Sequence, residues 1–598
     1  VSTSAELREI VDFDFDSAAG AVVFQDRFGI GQPPLYLVTT PTRFRRPAAI
    51  SVEQAAGLRS PDNGAEYVII THPDFAAAAD KLAAWRAQDD RFGEALTTMV
   101  VDVEDIYAEF SGGMLDPMAI RSFVNYAVDN WNPAPFFVLL IGDGTYDYKN
   151  NSGSSHANWM PAFQDGISTY DEWYVRIEGQ DVFPDLAIGR LPVQSAQQAE
   201  GLVDKLIDYD RQPEVGPWQT RVLVVSDDLT NPQTPNELES FFLIDAEIMA
   251  RLFVPEDLDL VKLYIARFPM EGRTKPQARD EFIRRFNEGS LILTYVGHGN
   301  PEVLAHEQMF VLSRDQGAVD NGGRLTFMYT AASQVGVFDD PALQSMPEVL
   351  LNMPDGGVVG FISATRVGFH ASNMILAREF HQVMYRNGVR HVPMGLALMV
   401  AKRNAVVPLN LVGRGNVQRY SLMGDPAQRL ALPRYSVDID MPDSIWALEE
   451  IRVRGRVLDP QRRPATDFNG QAWLQVFDSA VSSRLGRLVY KRGGAPLYRT
   501  LIGVASGRFE ATFRVPKDIS YRQKEGRVSA YAWEPDAGRI AFGSVRNVVL
   551  AGTAEGIRAD GDGPEISIAF KGTEGFASGD LTFVAGESFG IPGAFGMV

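Results

Sequence analysis

Apolar segments alternate with helical segments through the middle of the sequence, and this alternation limits the fold more than any other feature. The segments 136–141, 222–225, 291–296, 326–329 and 357–362 are almost entirely apolar. Stretches with helical spacing of apolar residues lie between and after them. Apolar strands separated by helices predict a mostly parallel sheet that helices cover on both faces. The expected fold class is therefore α/β.

The sequence pattern changes on both sides of this region, which defines the predicted domains. Residues 1–65 are interpreted as the tail of an N-terminal β-rich region. Residues 66–131 form a first α/β subdomain, and residues 132–432 form a larger one that carries the chemistry. Residues 433–553 have short alternating strands between Pro- and Gly-containing turns, which is typical of an immunoglobulin-like β-sandwich. Residues 554–598 are interpreted as a linker and the start of a further β region.

Composition excludes several classes of protein. The 598 residues carry a net charge of −20, whereas sequence-independent nucleic-acid binding needs a basic surface. The chain contains no cysteine, which excludes disulfides, zinc–thiolate sites and a cysteine nucleophile in this sequence. Its apolar runs fall well short of the roughly 18 residues that span a membrane, so we do not expect a transmembrane protein. The sequence begins at Val1 rather than Met, which we interpret as a processed or trimmed product.

Three predicted strands end in polar turns that contain candidate catalytic residues. Asp143 follows the strand 136–141, His298 lies between two glycines after 291–296, and Ser333 follows 326–329. Because the carboxyl ends of parallel strands meet at one edge, His298 and Ser333 are expected to face each other. A histidine base beside a hydroxyl or thiol is the minimum equipment for acyl transfer, with the N–H groups of Gly299 and Ser333 as an oxyanion hole. The alternative is a loop histidine and a serine that caps the next helix.

The chain resembles the gingipain-type peptidases of peptidase family C25, and within that family the sortases of the type IX secretion system. The resemblance runs in order from about residue 66 to 432 and includes a Gly-His-Gly turn and a Thr-Ala-Ala-Ser stretch. The segments that carry it are Asp185–Val193, Tyr295–Gly299, Tyr329–Pro341, Asn352–Gly360, Ser363–Arg366 and Leu422–Leu430.

The resemblance implies a caspase-like α/β fold in two subdomains and assigns roles to individual residues. His298 is the general base or proton partner, and Ser333 stands where the family has its cysteine nucleophile. Asp171 lies where gingipain-like members place an acid near the specificity pocket, with a solvated loop acid as the alternative. Three interpretations of Ser333 remain open: an engineered inactivating change, a natural pseudo-peptidase, or a true serine hydrolase. The last would need an acid to orient His298, for which Asp143 is the candidate, although capping its own turn is the competing role.

No metal or cofactor is required by this interpretation. His306 and His370 form a metal group only if their loops converge, and surface or core histidines are the simpler interpretation. Structural calcium at Asp339-Asp340 or at 560–563 remains a candidate, because the resemblance is to folds that often carry it and carboxylates are hard oxygen ligands.

Two hypotheses follow for the whole protein. The first is a cell-surface cysteine-type peptidase or transpeptidase that cleaves the C-terminal signals of secreted cargo through an acyl-enzyme. Its implied partners are the cargo proteins, an outer-membrane barrel shuttle protein and a surface glycolipid acceptor, and its implied location is the extracellular face of the outer membrane. The second is a catalytically inactive scaffold of the same secretion machinery that only binds.

Overall fold

The computed structural model describes residues 10–25, 36, 38, 40–43, 55–93, 95–179, 181–231, 234–385, 391–406, 410–520, 525–535 and 538–554. By its internal contacts the chain divides into two compact units. The first is Val1–Pro433 with Arg484–Tyr490, and the second is Arg434–Ser483 with Lys491–Val598. The predicted strand at 566–570 and the calcium candidate at 560–563 lie outside the described residues.

A ten-stranded sheet forms the centre of the first unit. Its strands are β1 (Tyr67–Thr71), β2 (Thr98–Asp102), β3 (Phe137–Ile141), β4 (Ala187–Leu191), β5 (Arg221–Ser226), β6 (Asp259–Tyr264), β7 (Ile292–Val296), β8 (Thr326–Ala331), β9 (Val358–Ala364) and β10 (Tyr420–Met423). Their order across the sheet is β6-β5-β7-β8-β9-β10-β4-β3-β1-β2. Seven of these strands are buried along their whole length, as the apolar runs predict; β2, β5 and β6 are the partly exposed ones.

The sheet consists of two groups of parallel strands that run in opposite directions. β10 pairs antiparallel with β9 on one side and parallel with β4 on the other. The carboxyl ends of β5 to β9 therefore lie at the opposite edge from those of β1, β3 and β4. The predicted boundary at residues 131 and 132 does not separate the groups, because β3 pairs with both β1 and β4.

Helices flank the sheet strands in the sequence and bury one face each. They are α1 (Ala76–Arg86), α2 (Val103–Ser111), α3 (Pro117–Asn130), α4 (Ala196–Arg211), α5 (Ser240–Leu252), α6 (Pro276–Asn287), α7 (Leu312–Asp315), α8 (Met346–Asn352), α9 (His370–Tyr385), α10 (Met394–Val406) and α11 (Leu411–Gln418). Several begin at side chains that accept a hydrogen bond from the first turn, such as Asp116 at α3 and Ser195 at α4. No helix in the described part of the chain is both long and apolar enough to cross a bilayer.

The second unit is the β-sandwich. Its strands are β11 (Tyr435–Asp440), β12 (Ser444–Ala447), β13 (Glu450–Leu458), β14 (Gly470–Phe477), β15 (Pro496–Val504), β16 (Arg508–Arg514), β17 (Gly526–Trp533) and β18 (Ile540–Thr553). Alternate residues of β13 and β16 are buried, as one covered sheet face requires. In the N-terminal region the described residues include one antiparallel hairpin, Phe13–Asp16 with Ala21–Phe24.

Candidate active site

The register of β7 and β8 determines where His298 and Ser333 lie. These strands are parallel neighbours, and Val296 is paired with Ala331. His298 and Ser333 each follow two residues later, so both turns leave the same edge at the same level. The expectation that these two residues are brought together at one sheet edge agrees with this register.

The two glycines around His298 are needed for space rather than for an unusual backbone angle. Neither has a positive φ. A Cβ on Gly299 would lie 2.6 Å from Val335 Cγ2 and 3.3 Å from Ala332 Cβ. A Cβ on Gly297 would lie 2.4 Å from the Tyr295 hydroxyl. The His298 turn therefore packs directly against the loop that carries Ser333, and any larger residue would separate them.

The imidazole of His298 contacts an acid and two rings. Its Nε2 lies 3.0 Å from Glu239 Oε1. Its ring stacks on His306, with centroids 4.1 Å apart, and meets the edge of Phe242 at 4.9 Å. Because a carboxylate only accepts hydrogen bonds, Nε2 carries the proton in this pair and Nδ1 is the basic nitrogen of the neutral ring.

Glu239 is the functional residue that sequence reasoning missed. It lies at the N-terminus of α5, in the connection that follows β5, and its side chain makes no capping bond to that helix. The carboxylate is therefore available to His298, and the helix N-terminus favours its negative charge. The signal in the sequence is the start of a helix after β5, which is the second parallel neighbour of β7. Polar residues directly after strands do not include Glu239, which lies 59 positions before His298.

A buried carboxylate and a buried hydroxyl hold the backbone of His298. Its N–H donates to Asp227 Oδ2 at 2.7 Å, and its carbonyl accepts from the Tyr295 hydroxyl at 2.7 Å. Burial raises the pKa of Asp227 above its usual range. Burial and the neighbouring Asp227 raise the pKa of Glu307 to about 8. Glu307 therefore retains its proton in the folded protein near neutral pH, beneath the histidine turn.

This carboxyl pair predicts a pH dependence of stability. The folded pKa of Glu307, about 8, lies above the unfolded value of about 4.3, so the folded state binds the extra proton between these limits. The contribution of Glu307 to the free energy of unfolding is fully present below about pH 4. It is lost as the pH rises to about 8, by up to about 1.4 kcal/mol per pH unit. We expect Glu307→Gln to flatten the decline in urea unfolding midpoint between pH 5 and pH 8. The exposed Glu256→Gln is the control, and a parallel decline in all three proteins would contradict the prediction.

The hydroxyl of Ser333 is bonded to the backbone of the loop after β9. It accepts from Gly368 N at 3.0 Å and donates to Gly368 O at 3.2 Å. Among the described residues it has no hydrogen bond to His298. The next residue, Gln334, has a φ of 59°, a strained conformation for a residue with a side chain and one that tends to occur at functional turns.

The N–H groups expected to form an oxyanion hole are free of backbone partners. Gly299 forms an antiparallel bridge with Leu304 that is closed by bonds from the neighbouring residues, Ala305 to His298 and Asn300 to Val303. In such a pair the N–H of the bridge residue itself points away from its partner strand. In the described part of the chain neither Gly299 N nor Ser333 N has a hydrogen-bond acceptor. The oxyanion role of these groups stays a prediction.

Asp143 does not orient His298. Its carboxylate accepts from Gln194 and Gln344 and from Gly144 N. The reason is the direction of the strands: β3 belongs to the group that runs opposite to β7, and it is five strands away, about 24 Å at the usual spacing. Burial raises the pKa of Asp143, which is consistent with a carboxyl group enclosed away from the site.

Asp171 is also absent from the candidate site. It is buried and forms a two-point ion pair with Arg190, with both N–O distances 2.7 Å. The fully buried Arg190 also donates to the carbonyls of Gly142 and Met160. Asp171 therefore neutralises a cation inside the other strand group and is not a specificity residue in this structure.

Removing Asp171 should affect stability rather than substrate choice. Asp171→Ala leaves the Arg190 guanidinium buried without a counterion, which typically costs about 3–5 kcal/mol. Urea unfolding measures this loss, with the exposed Asp165→Ala as a control. The prediction fails if Asp171→Ala keeps the parent stability.

The histidines and acids considered as metal ligands do not form one group. His306 stacks on His298, whereas His370 lies apart from them and its Nε2 binds Asp245 Oδ2 at 2.7 Å. Asp339 forms a two-point pair with Arg366, at 2.8 and 2.6 Å, so that both its oxygens are engaged by a cation.

Comparisons with known proteins identify relatives over most of the first unit. The model of peptidase family C25 matches residues 60–431, well over half the chain. Gingipain R2 of Porphyromonas gingivalis is 23% identical over 377 residues, which cover 61% of this chain and 46% of gingipain R2. The chain thus spans about half the length of this curated relative.

Solved structures give a likeness at the level of the fold. The crystal structure of the Arg-specific cysteine proteinase gingipain R matches with a TM-score of 0.50 and 18% identity, over 82% of this chain and 98% of that one. Dimeric latent PorU from Porphyromonas gingivalis matches with a TM-score of 0.39 and 20% identity, over 87% of this chain and 46% of that one.

Proposed function

The chain belongs to peptidase family C25, and from this premise we propose that its site is built to cleave peptide bonds by acyl transfer at position 333. The register of β7 and β8, which brings His298 level with residue 333, carries the proposal. Glu239 at Nε2 of His298 supports it, because acyl transfer needs a nucleophile, a base and a group that orients the base.

The reaction has two steps. The nucleophile at 333 attacks the substrate carbonyl carbon, and its proton passes to His298 while the N–H groups of Gly299 and residue 333 donate to the oxyanion. The C–N bond then breaks, and His298 gives the proton to the leaving amine. In the second step water or an acceptor amine attacks the acyl group and gives its proton to His298, which returns one to residue 333.

We expect the serine at 333 to make the chain as written a poor enzyme that can still bind a peptide. A thiol ionises readily beside an imidazole, whereas a serine hydroxyl stays protonated until it attacks. The Ser333 hydroxyl is moreover engaged with both the N–H and the carbonyl of Gly368. This observation favours the second candidate function, recognition of a peptide in an intact cleft without turnover.

The surroundings of Ser333 favour a substrate that has an apolar residue at the bond to be cleaved. Val367 and Phe369, on either side of Gly368, are each 55% exposed. Two acids contact residues close to this loop. Asp339 is paired with Arg366, and Asp245 is paired with Arg378. An arginine substrate would meet carboxylates that already have partners, whereas an apolar side chain would cover exposed apolar surface.

The finer role that we propose is that of a type IX secretion sortase or its inactive counterpart, on the motif resemblance of residues 295–299 and 329–341. Its substrate would be the C-terminal signal of a secreted cargo protein delivered by an outer-membrane barrel, at the extracellular face of the outer membrane. An amine of a surface glycolipid would be the acceptor.

A peptide-transfer assay tests this role. Ser333→Cys protein is incubated with a cargo protein that ends in a C-terminal signal, with and without a small primary amine, and the products are identified by mass spectrometry. We expect cleavage before the signal and, with amine present, a product whose new C-terminus is an amide. Hydrolysis alone at every amine concentration would limit the function to that of a peptidase, and a scrambled signal should not be cleaved.

A further inference from the structure

Glu239, His298 and His306 form a second feature of the site that acyl transfer does not explain. Within the described part of the chain, each of the three offers one ligand atom, and these atoms lie within 4.8 Å of one another. We propose that these residues are a binding site for Zn²⁺ or a similar divalent transition metal, which holds His298 out of the reaction.

The ligand types suit zinc, and small side-chain movements would bring the three ligand atoms to zinc distances. A tetrahedral zinc ion with bonds of about 2.0–2.2 Å holds its ligand atoms about 3.3–3.5 Å apart. His298 Nε2 and Glu239 Oε1 already lie 3.0 Å apart, so the ion would take the place of the proton they share. Two imidazoles and one carboxylate leave a fourth position open, and this set favours zinc over Ca²⁺ or Mg²⁺, which prefer oxygen ligands.

The backbone holds His306 over His298 at a conformational cost. Ala305 and Gln308, on either side of the His306 turn, have φ angles of 65° and 58°. Such conformations are strained in residues with a side chain and persist only where the surrounding structure holds them. Ala305 N donates to the His298 carbonyl at 3.0 Å, which fastens one histidine turn to the other. The stacked arrangement of the two rings is therefore specified by the fold.

His306 has a ring nitrogen that is free to bind a metal. Its Nδ1 is buried and has no hydrogen-bond partner among the described residues. A buried polar atom without a partner is uncommon, and a bound ion would account for it.

The regulatory consequence rests on the proposed function. A metal bound to His298 occupies a ring that the proposed reaction needs for proton transfer. In this scheme His306 has no part in the cleavage reaction and serves only to bind the metal. Cleavage stops while the metal is bound.

Direct titration tests the site independently of activity. Zn²⁺ is titrated into the chain as given, which contains no cysteine and thus no thiol that could bind zinc, in competition with a chromophoric chelator. We expect one ion per chain at this site, and at least about 10–100-fold weaker binding in His306→Gln and in Glu239→Gln. His370→Gln is the matched control, because His370 pairs with Asp245 instead and should leave the affinity unchanged. Circular dichroism checks that each variant is folded.

Cobalt gives a second readout that does not depend on any variant. Co²⁺ bound to this set should show the intense visible absorption of a four-coordinate ion, which added Zn²⁺ abolishes. Equal zinc affinity in His306→Gln and His370→Gln, or no tight zinc site in the parent chain, would overturn the proposal. A cleavage assay on Ser333→Cys protein can fail without affecting this result, so failure of the proposed function and failure of the metal site are distinguishable.

Discussion

Ser333→Cys should convert the chain into a thiol-dependent peptidase, with kcat/KM at least about 10³-fold above the parent, the scale on which loss of a nucleophile acts. The physical reason is that the thiol ionises beside His298, whereas the parent hydroxyl is protonated and bonded to Gly368. Cleavage of a fluorogenic peptide with an apolar residue at the cleavage point measures the gain. Because the parent has no cysteine, one alkylated thiol per chain should abolish all activity.

The same experiment contains its own controls. His298→Ala in the Ser333→Cys background should return the rate to the parent level, since no base remains to take the thiol proton. His370→Ala, which removes a histidine bound to Asp245, should keep the activity. If the folded Ser333→Cys protein cleaves nothing, the site is that of a binding protein and the enzyme proposal is wrong.

The strand ends that sequence reasoning identified correctly share one physical property. His298 and Ser333 follow adjacent parallel strands, and the distance of 35 residues between them is the same as between their paired strand ends, Val296 and Ala331. Apolar runs and glycine turns specify such local units, because burial on both faces and close packing leave few alternatives. The α/β class and the start of the β-sandwich close to residue 433 follow from the same patterns.

The relative direction of the two strand groups could not be predicted from the sequence, because it depends on how strands far apart in the chain pair. β10 connects the two strand groups through an antiparallel pairing with β9, and this reverses the edge at which β3 ends. No local pattern in β3 carries that information, so strand-end position alone suggests the wrong edge for Asp143, whereas the competing role, capping its own turn, agrees with the bond from Gly144 N. Neither role considered for Asp171, a specificity acid implied by the resemblance or a solvated loop acid, anticipates its ion pair, because its partner Arg190 lies in a buried strand far along the sequence.

Glu239 offers the sharpest test of which acid serves His298. In the Ser333→Cys background, Glu239→Gln should lower kcat by about 10²-fold, since an amide can donate as well as accept and so no longer enforces the Nε2–H tautomer, and it cannot balance the charge of the protonated ring. KM should change little, because Glu239 contacts the histidine and not the substrate. Steady-state kinetics at several pH values separates the two parameters.

Asp143→Asn is the matched comparison, because it makes the same chemical change at the acid that the strand-end pattern offers as the candidate partner of His298. It should keep kcat within about twofold, since Asp143 is bonded to Gln194 and Gln344 and has no hydrogen bond to His298 among the described residues. The reverse result, with kcat lost in Asp143→Asn and kept in Glu239→Gln, would contradict the strand directions themselves. A loss in both variants would instead point to unfolding, which the urea midpoint detects. The pair of substitutions therefore tests the antiparallel joining of the two strand groups through catalysis, at positions far apart in the sequence.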